Sequence, residues 1–176
     1  MKTKTWKRVI ALFVLFSIVL SCPVSAAAAD GKMVEVSQTK ELKDERSYTK
    51  AELRLMSAII FCEAGAESYT GKVAVGIVVM NRVRSKKYPN TLKGVIYQKG
   101  QFTPARSGAL SRALKAYDNG DFTQKNHLDS IKAAKKVLKG CTTVKIKGKT
   151  VEMKSYLFFS CYIKNRRLKI GNHMFK

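Results

Sequence analysis

Leu53, Met56, Ile60 and Glu63 recur at spacings of three, four and three, which on a helix places one carboxylate on the same stripe as three apolar side chains. Burial among apolar groups disfavours the charged form of a carboxyl and raises its pKa, so such a group can stay protonated near neutral pH and act as a general acid. Glu63 also falls in the expected last turn of that helix, where the negative end of the helix dipole pushes its pKa the same way. The plainer reading is that Glu63 pairs with one of the chain's many cations, or faces water at a frayed helix end. Glu67 lies four residues on, beyond Gly65, so the helix need not hold the two carboxylates together. Capping the next helix through its N-terminal NH groups is the use expected of Glu67.

The elements that must position Glu63 are legible in outline. Thr49-Lys-Ala-Glu52 matches a capping box, so a helix should start there, run to about Ala64 and end at Gly65. GKVAVGIVVMNRVRSKKYP from Gly71 is apolar nearly all round and reads as a buried central helix. Asn90-Thr91-Leu92 opens a short helical turn leading to Ile96, and YQKGQFTPARSG, with both Gly and Pro, reads as a loop. Residues 109–119 and 127–139 are amphipathic helices ending at Gly120 and Gly140. TTVKIKGKTVEM alternates around Lys147-Gly148 as a hairpin, and Tyr156 to Phe159 continues with a β-rich run.

Composition bounds the rest. Among 176 residues, 34 Lys and Arg face 12 Asp and Glu, a net charge of +22, while 45% of residues are apolar. This excludes an ordinary neutral cytosolic enzyme and a disordered basic tail alike, and leaves one folded basic domain. The N-terminus carries Lys2, Lys4, Lys7 and Arg8, then twelve apolar residues from Val9 to Leu20 and the small-residue stretch VSAAAA. It reads as a secretory signal peptide over 1–29, cut near Ala26 to Ala29, since the apolar run is shorter than the ~20 residues that span a bilayer. Val19-Leu20-Ser21-Cys22 fits a lipoprotein site poorly. Residues 30–48 read as a flexible linker and 49–176 as the domain. Losing four cations and no acid takes the charge from +22 to +18, so the basicity belongs to the exported protein. An exported cation meets wall carboxylates and phosphates rather than nucleic acid. Cys62, Cys141 and Cys161 are odd in number and do not form a framework, although one bridge such as Cys141 to Cys161 is open.

Seven short motifs then converge. Phe61-Cys-Glu63-Ala-Gly-Ala-Glu67, Gly71-Lys-Val-Ala-Val, Asn81-Arg82-Val83, Pro89-Asn-Thr, Gly94-Val-Ile-Tyr97-Gln, Gly100-Gln-Phe102 and Gly171-Asn-His-Met-Phe175 resemble the spore cortex-lytic enzyme and cell wall hydrolase family, SleB/CwlJ-like, over about residues 50 to 176. The resemblance implies an α+β, mainly helical, lysozyme-like fold related to lytic transglycosylase domains, acting on peptidoglycan glycan strands. It aligns Glu63 with the family's catalytic acid and implies that Gly100-Gln101-Phe102 and Gly171 to Phe175 border the cleft. Gly65-Ala66 stands where Arg-Gly is more usual, and Lys145 to Arg167 lacks the usual Tyr-Phe-x-Asn-Pro pattern.

The expected reaction is proton donation by Glu63 to the bond between N-acetylmuramic acid and N-acetylglucosamine. With Glu67 the only acid nearby in sequence, and Asp118, Asp121 and Asp129 on distant segments, a lytic transglycosylase outcome is favoured over a two-carboxylate hydrolase. The single Trp, Trp6, leaves with the signal peptide, so sugar stacking falls to Tyr97, Phe102, Tyr156 and Phe159, any of which can equally be core. Gln101 and Asn172 are candidates for bonding acetamido groups, with turn capping the alternative. His173 borders the cleft, and a hydrogen-bonded structural role suits it better than acid-base catalysis. No cofactor or metal is expected. The expected partner is peptidoglycan of wall or spore cortex, met by a secreted monomer with no nucleic acid and no stable membrane insertion. Two rivals stand: a zinc amidase drawing on His127, His173 and Cys161, and a non-catalytic cationic wall-binding protein.

Overall fold

The computed structural model describes residues 47–176. The expected signal peptide, its cleavage site, Cys22 and the linker up to residue 46 lie outside the described residues.

Thr49 opens helix α1 (Lys50–Ala64) with the capping box expected: its hydroxyl accepts from the Glu52 backbone at 3.1 Å, and the Glu52 carboxylate accepts from the Thr49 NH at 2.8 Å. Helix α2 (Tyr69–Arg84) starts two residues ahead of Gly71, because the Ser68 hydroxyl caps it by accepting from the Gly71 NH. Ser68 thus fills the capping role that the sequence assigned to Glu67. As expected, α2 is buried along most of its length, with Val75, Ile77, Val78 and Val79 fully enclosed. Helix α3 (Leu92–Tyr97) is capped by Thr91. The stretch expected as pure loop holds one further helical turn, α4 (Thr103–Arg106), entered through Pro104 in its first turn. Helices α5 (Ala109–Asp118) and α6 (Lys125–Leu138) follow, the latter two residues earlier than its apolar pattern suggested.

The helices enclose one core, in which α1 packs against α6, α5 and α2, and α2 also packs on α6. Gly76 is the point where three of them meet. A Cβ there would lie 2.9 Å from Ile60 Cδ1 and 3.0 Å from Val137 Cγ2, so any larger residue has to push these side chains aside.

Two small antiparallel sheets complete the fold. Strands β1 (Thr143–Ile146) and β2 (Lys149–Glu152) form the expected hairpin, with Lys147 and Gly148 both at positive φ in a two-residue turn. The second sheet was not expected: β3 (Phe159–Ser160), β4 (Leu168–Ile170) and β5 (His173–Phe175) pair in the order β3-β5-β4, and Gly171-Asn172 forms the turn between β4 and β5. Tyr156 to Phe158 stay irregular. Cys62, Cys141 and Cys161 are free thiols, so the Cys141 to Cys161 bridge left open by the sequence does not form.

Gly76→Ala is expected to cost about 1–3 kcal/mol by overpacking. A thermal melt should show this as a Tm drop of several degrees, and an unchanged melt would mean that the contact of the three helices is loose.

Candidate active site

A side chain adds to the end of α1. Gly65 is the C-cap, as expected, and keeps a right-handed φ of −56°. Lys72, reaching back from the first turn of α2 and only 1% exposed, donates from Nζ to three carbonyls: Ala64 and Gly65 at 2.8 Å and Glu67 at 2.7 Å. An ammonium has three N–H donors, and all three are used. Burial lowers the pKa of Lys72, while three carbonyl dipoles at the negative end of α1 favour its charged form.

Glu63, directly before this capped segment, is partly buried at the end of the stripe whose Met56 and Ile60 are fully enclosed. Burial raises its carboxyl pKa, as the spacing predicted, and the charge of Arg82 acts in the opposite direction. The neighbouring Cys62 thiol is pushed up to about 11, first by burial and then by Glu63. Arg82 is 5% exposed and has no carboxylate partner at bonding distance among the described residues; its Nε donates to the Leu157 carbonyl at 2.8 Å and its guanidinium packs against the rings of Phe102, Tyr88 and Phe158.

Glu67 is committed elsewhere. Its carboxylate accepts from the Asn172 backbone NH at 3.2 and 3.4 Å, and its Oε1 is 3.9 Å from Nδ1 of buried His173. Gly171, at φ 57°, sits directly on this carboxylate, where a Cβ would overlap Glu67 Oε2. The Gly171-Asn172-His173 turn therefore closes on the loop after Glu63. Asn172 takes part through its backbone, and the His173 ring is edge-on to Phe159 and Phe175.

The other candidates divide. Phe102 is 2% exposed beneath Arg82, and Tyr156 is buried with Arg167 stacked 4.1 Å from its ring centre, so both are packing residues and neither presents a free face to a sugar. Phe159 packs among Phe102, His173 and Phe175 in the same way. Tyr97 is exposed on α3 and lies near Arg54, in the first turns of α1. Nine residues of helix, or about 13 Å of rise, separate Arg54 from Glu63 along α1. Gln101 is exposed in the turn before Phe102, its NH bonded to the Gln98 carbonyl. Reasoning from sequence missed Lys72, Arg82 and Phe158. The first two stood in quoted motifs, but nothing in their spacing marks a buried cation.

Among the described carboxylates, Asp118 pairs with Arg54, Asp129 with Lys125, and Glu152 accepts from the Met153 and Lys154 backbone. Asp121 is exposed in the turn after α5. His127 stacks on Phe122 and meets Phe61, a different cluster from that of His173, so the two imidazoles do not share a site. No group of three or more His, Cys, Asp and Glu among the described residues is placed to hold a metal. The cationic surface has its own concavity, an open groove of about 800 Å³ at the C-terminal ends of α2 and α6 lined by Arg84, Lys139 and Lys154, which does not include Glu63.

This arrangement has the lysozyme-like fold of lytic transglycosylase catalytic domains. The catalytic domain of the germination-specific lytic transglycosylase SleB from Bacillus anthracis superposes with a TM-score of 0.53 at 23% identity, over 73% of this chain and 96% of that one. That of Bacillus cereus SleB does so at 0.53 and 24%, over 78% and 98%. The Cell Wall Hydrolase family model matches residues 66–176, and the chain belongs to that family. It is 36% identical over 73 residues to a spore cortex-lytic enzyme of Bacillus cereus, covering 42% of this chain and 28% of that protein. The corresponding Bacillus subtilis enzyme is 33% identical over 63 residues, covering 36% and 21%. These matches span about a quarter of the relatives' length.

Because folding raises the Glu63 pKa above its ordinary 4.5, ionising it costs stability. The cost is absent below that value and grows as pH rises through the folded one. Glu63→Gln should therefore raise Tm at pH 7 more than at pH 4, and equal gains at both would contradict the burial. Lys72→Met leaves three carbonyls without their donor and is expected to cost on the order of 3 kcal/mol. Chemical denaturation would measure it, and a loss below about 1 kcal/mol would mean that water replaces the ammonium.

Proposed function

We propose that this chain is an exported peptidoglycan glycosidase, acting as a lytic transglycosylase on the bond between N-acetylmuramic acid and N-acetylglucosamine, with Glu63 as its acid. The observation that carries the reading is that Glu63 is a partly buried carboxyl whose pKa burial raises, and that the charged group acting on it is Arg82 and not a second carboxylate. Family membership and the lysozyme-like fold support the substrate class. The similarity to spore cortex-lytic enzymes supports spore cortex as the form of peptidoglycan attacked.

In the first step Glu63 gives its proton to the glycosidic oxygen as the bond from that oxygen to the muramic C1 breaks, releasing the N-acetylglucosamine 4-hydroxyl and leaving an oxocarbenium-like centre. The Glu63 carboxylate then takes the proton of the muramic 6-hydroxyl, whose oxygen bonds to C1 and closes a 1,6-anhydro ring. Glu63 ends protonated, so a single carboxylate serves both steps. Burial keeps it an acid at rest, and the Arg82 charge eases its turn as a base. Glu67, bonded to the Asn172 NH, is spoken for as the nucleophile or base that a two-carboxylate hydrolase requires.

Residues 1–29 direct export, residues 30–48 link, and residues 49–176 act at the cell wall or spore, where the net charge of +18 after signal removal draws the protein to anionic polymer. The protein acts as a monomer that needs no cofactor.

Digesting purified sacculi or cortex and reading the fragments by mass spectrometry tests this directly. Muropeptides ending in 1,6-anhydromuramic acid are expected, and Glu63→Gln should lower their yield at least about 100-fold. Reducing muramic ends would replace transglycosylation with hydrolysis, and released stem peptides would overturn the glycosidase reading.

A further inference from the structure

Phe158 is a large apolar ring left 50% exposed on a segment that is otherwise held fast. Its NH donates to the Lys176 carbonyl at 2.9 Å and its carbonyl accepts from the Lys176 NH at 3.0 Å, so its backbone is clamped on both sides. The Arg82 guanidinium lies 5.8 Å from the ring centre, and Arg82 also holds the preceding residue through the Leu157 carbonyl. A buried guanidinium without an anionic partner is costly. Here the faces of Tyr88 and Phe102, 5.3 and 5.2 Å away, and one carbonyl are its compensation. The result is an aromatic surface on a clamped backbone, over a cation that Phe102, Phe159 and His173 connect by successive ring contacts to Glu67, four residues from Glu63.

We propose that the exposed ring of Phe158 is the stacking platform for an N-acetylhexosamine ring of the glycan, and that Arg82 is the positioning residue that holds this platform. The proposal rests on the glycosidase reading above. A pyranose offers a face of C–H bonds that packs on an aromatic ring while its hydroxyls stay at the edge in water, which suits a half-exposed Phe. The sequence pointed to Tyr97, Phe102, Tyr156 and Phe159 for this task, and Phe159 packs among Phe102, His173 and Phe175. Of the other three, Phe102 and Tyr156 are buried, and Tyr97 lies toward the far end of α1.

The test uses the full mature chain carrying Glu63→Gln and a soluble chitin oligosaccharide as probe. Adding Phe158→Ala should weaken binding about tenfold, and Phe158→Trp should hold it within about threefold of the parent. In the active chain Phe158→Ala should act mainly on KM. Arg82→Gln should weaken oligosaccharide binding similarly and move the alkaline limb of the pH–rate profile upward, because the charge opposing Glu63 protonation is gone. Arg82→Lys should restore that limb but not the binding. Unchanged affinity in a folded Phe158→Ala chain, or equal loss in the Trp variant, would overturn the proposal. Wall digestion surviving Glu63→Gln would instead sink the glycosidase reading and leave the binding comparison intact.

Discussion

The arrangement around Glu63 depends on one buried ammonium. Lys72 donates to the carbonyls of Ala64, Gly65 and Glu67 at the end of α1 and in the loop after it; the Ala64 carbonyl also accepts from the Glu67 NH at 3.0 Å, so the ammonium and that NH close the helix together. Because Lys72 stands one turn into α2, the same bonds set the reversal between the two helices. They also decide where Glu67 points, and Glu67 in turn takes hold of the Asn172 NH and so docks the C-terminal β4–β5 turn. Residues more than a hundred positions apart are thus joined through one four-residue loop. Gly171 is the only residue type that fits over the Glu67 carboxylate, so the closing turn is fixed sterically as well as by hydrogen bonds.

A second constraint is electrostatic. Burial at the end of an apolar stripe drives Glu63 toward its protonated form, and Arg82 drives it back. Arg82 is itself buried, and its pKa is lowered by desolvation and raised by Tyr88 and Glu63. Neither group forms a tight ion pair with the other, which would hold the carboxyl ionised and abolish it as an acid. Meanwhile the chain's abundant cations lie at the surface, as in the groove lined by Arg84, Lys139 and Lys154, where salt screens them. Attraction to a polyanion and proton transfer are therefore carried by different parts of the molecule.

Local features of the fold were legible where the physics is local. The Thr49–Glu52 capping box, the Thr91 cap and the Lys147-Gly148 turn each need only a few consecutive residues to satisfy backbone groups, and each forms as read. The fully buried α2 followed from a run too apolar to face water. Gly65 ends α1 as read, while Glu67 was misassigned: the Ser68 hydroxyl caps α2, and the Lys72 ammonium, reaching back from α2, adds to the end of α1. Phe102 and Tyr156 were indistinguishable in sequence from exposed platforms. An aromatic ring carries no mark of burial until its long-range neighbours, here Arg82 and Arg167, are in place.

The sequence by itself determined the family, the helical frame and the candidate acid, because motif order and the apolar period of α1 are properties of the chain read in one direction. Only the tertiary structure decided which aromatic ring stays exposed, that Glu67 serves as a latch, and that Arg82 is the charge facing Glu63. Those outcomes require segments from α1, α2 and the last twenty residues to meet, and burial, charge proximity and hydrogen-bond partnership exist only once they do.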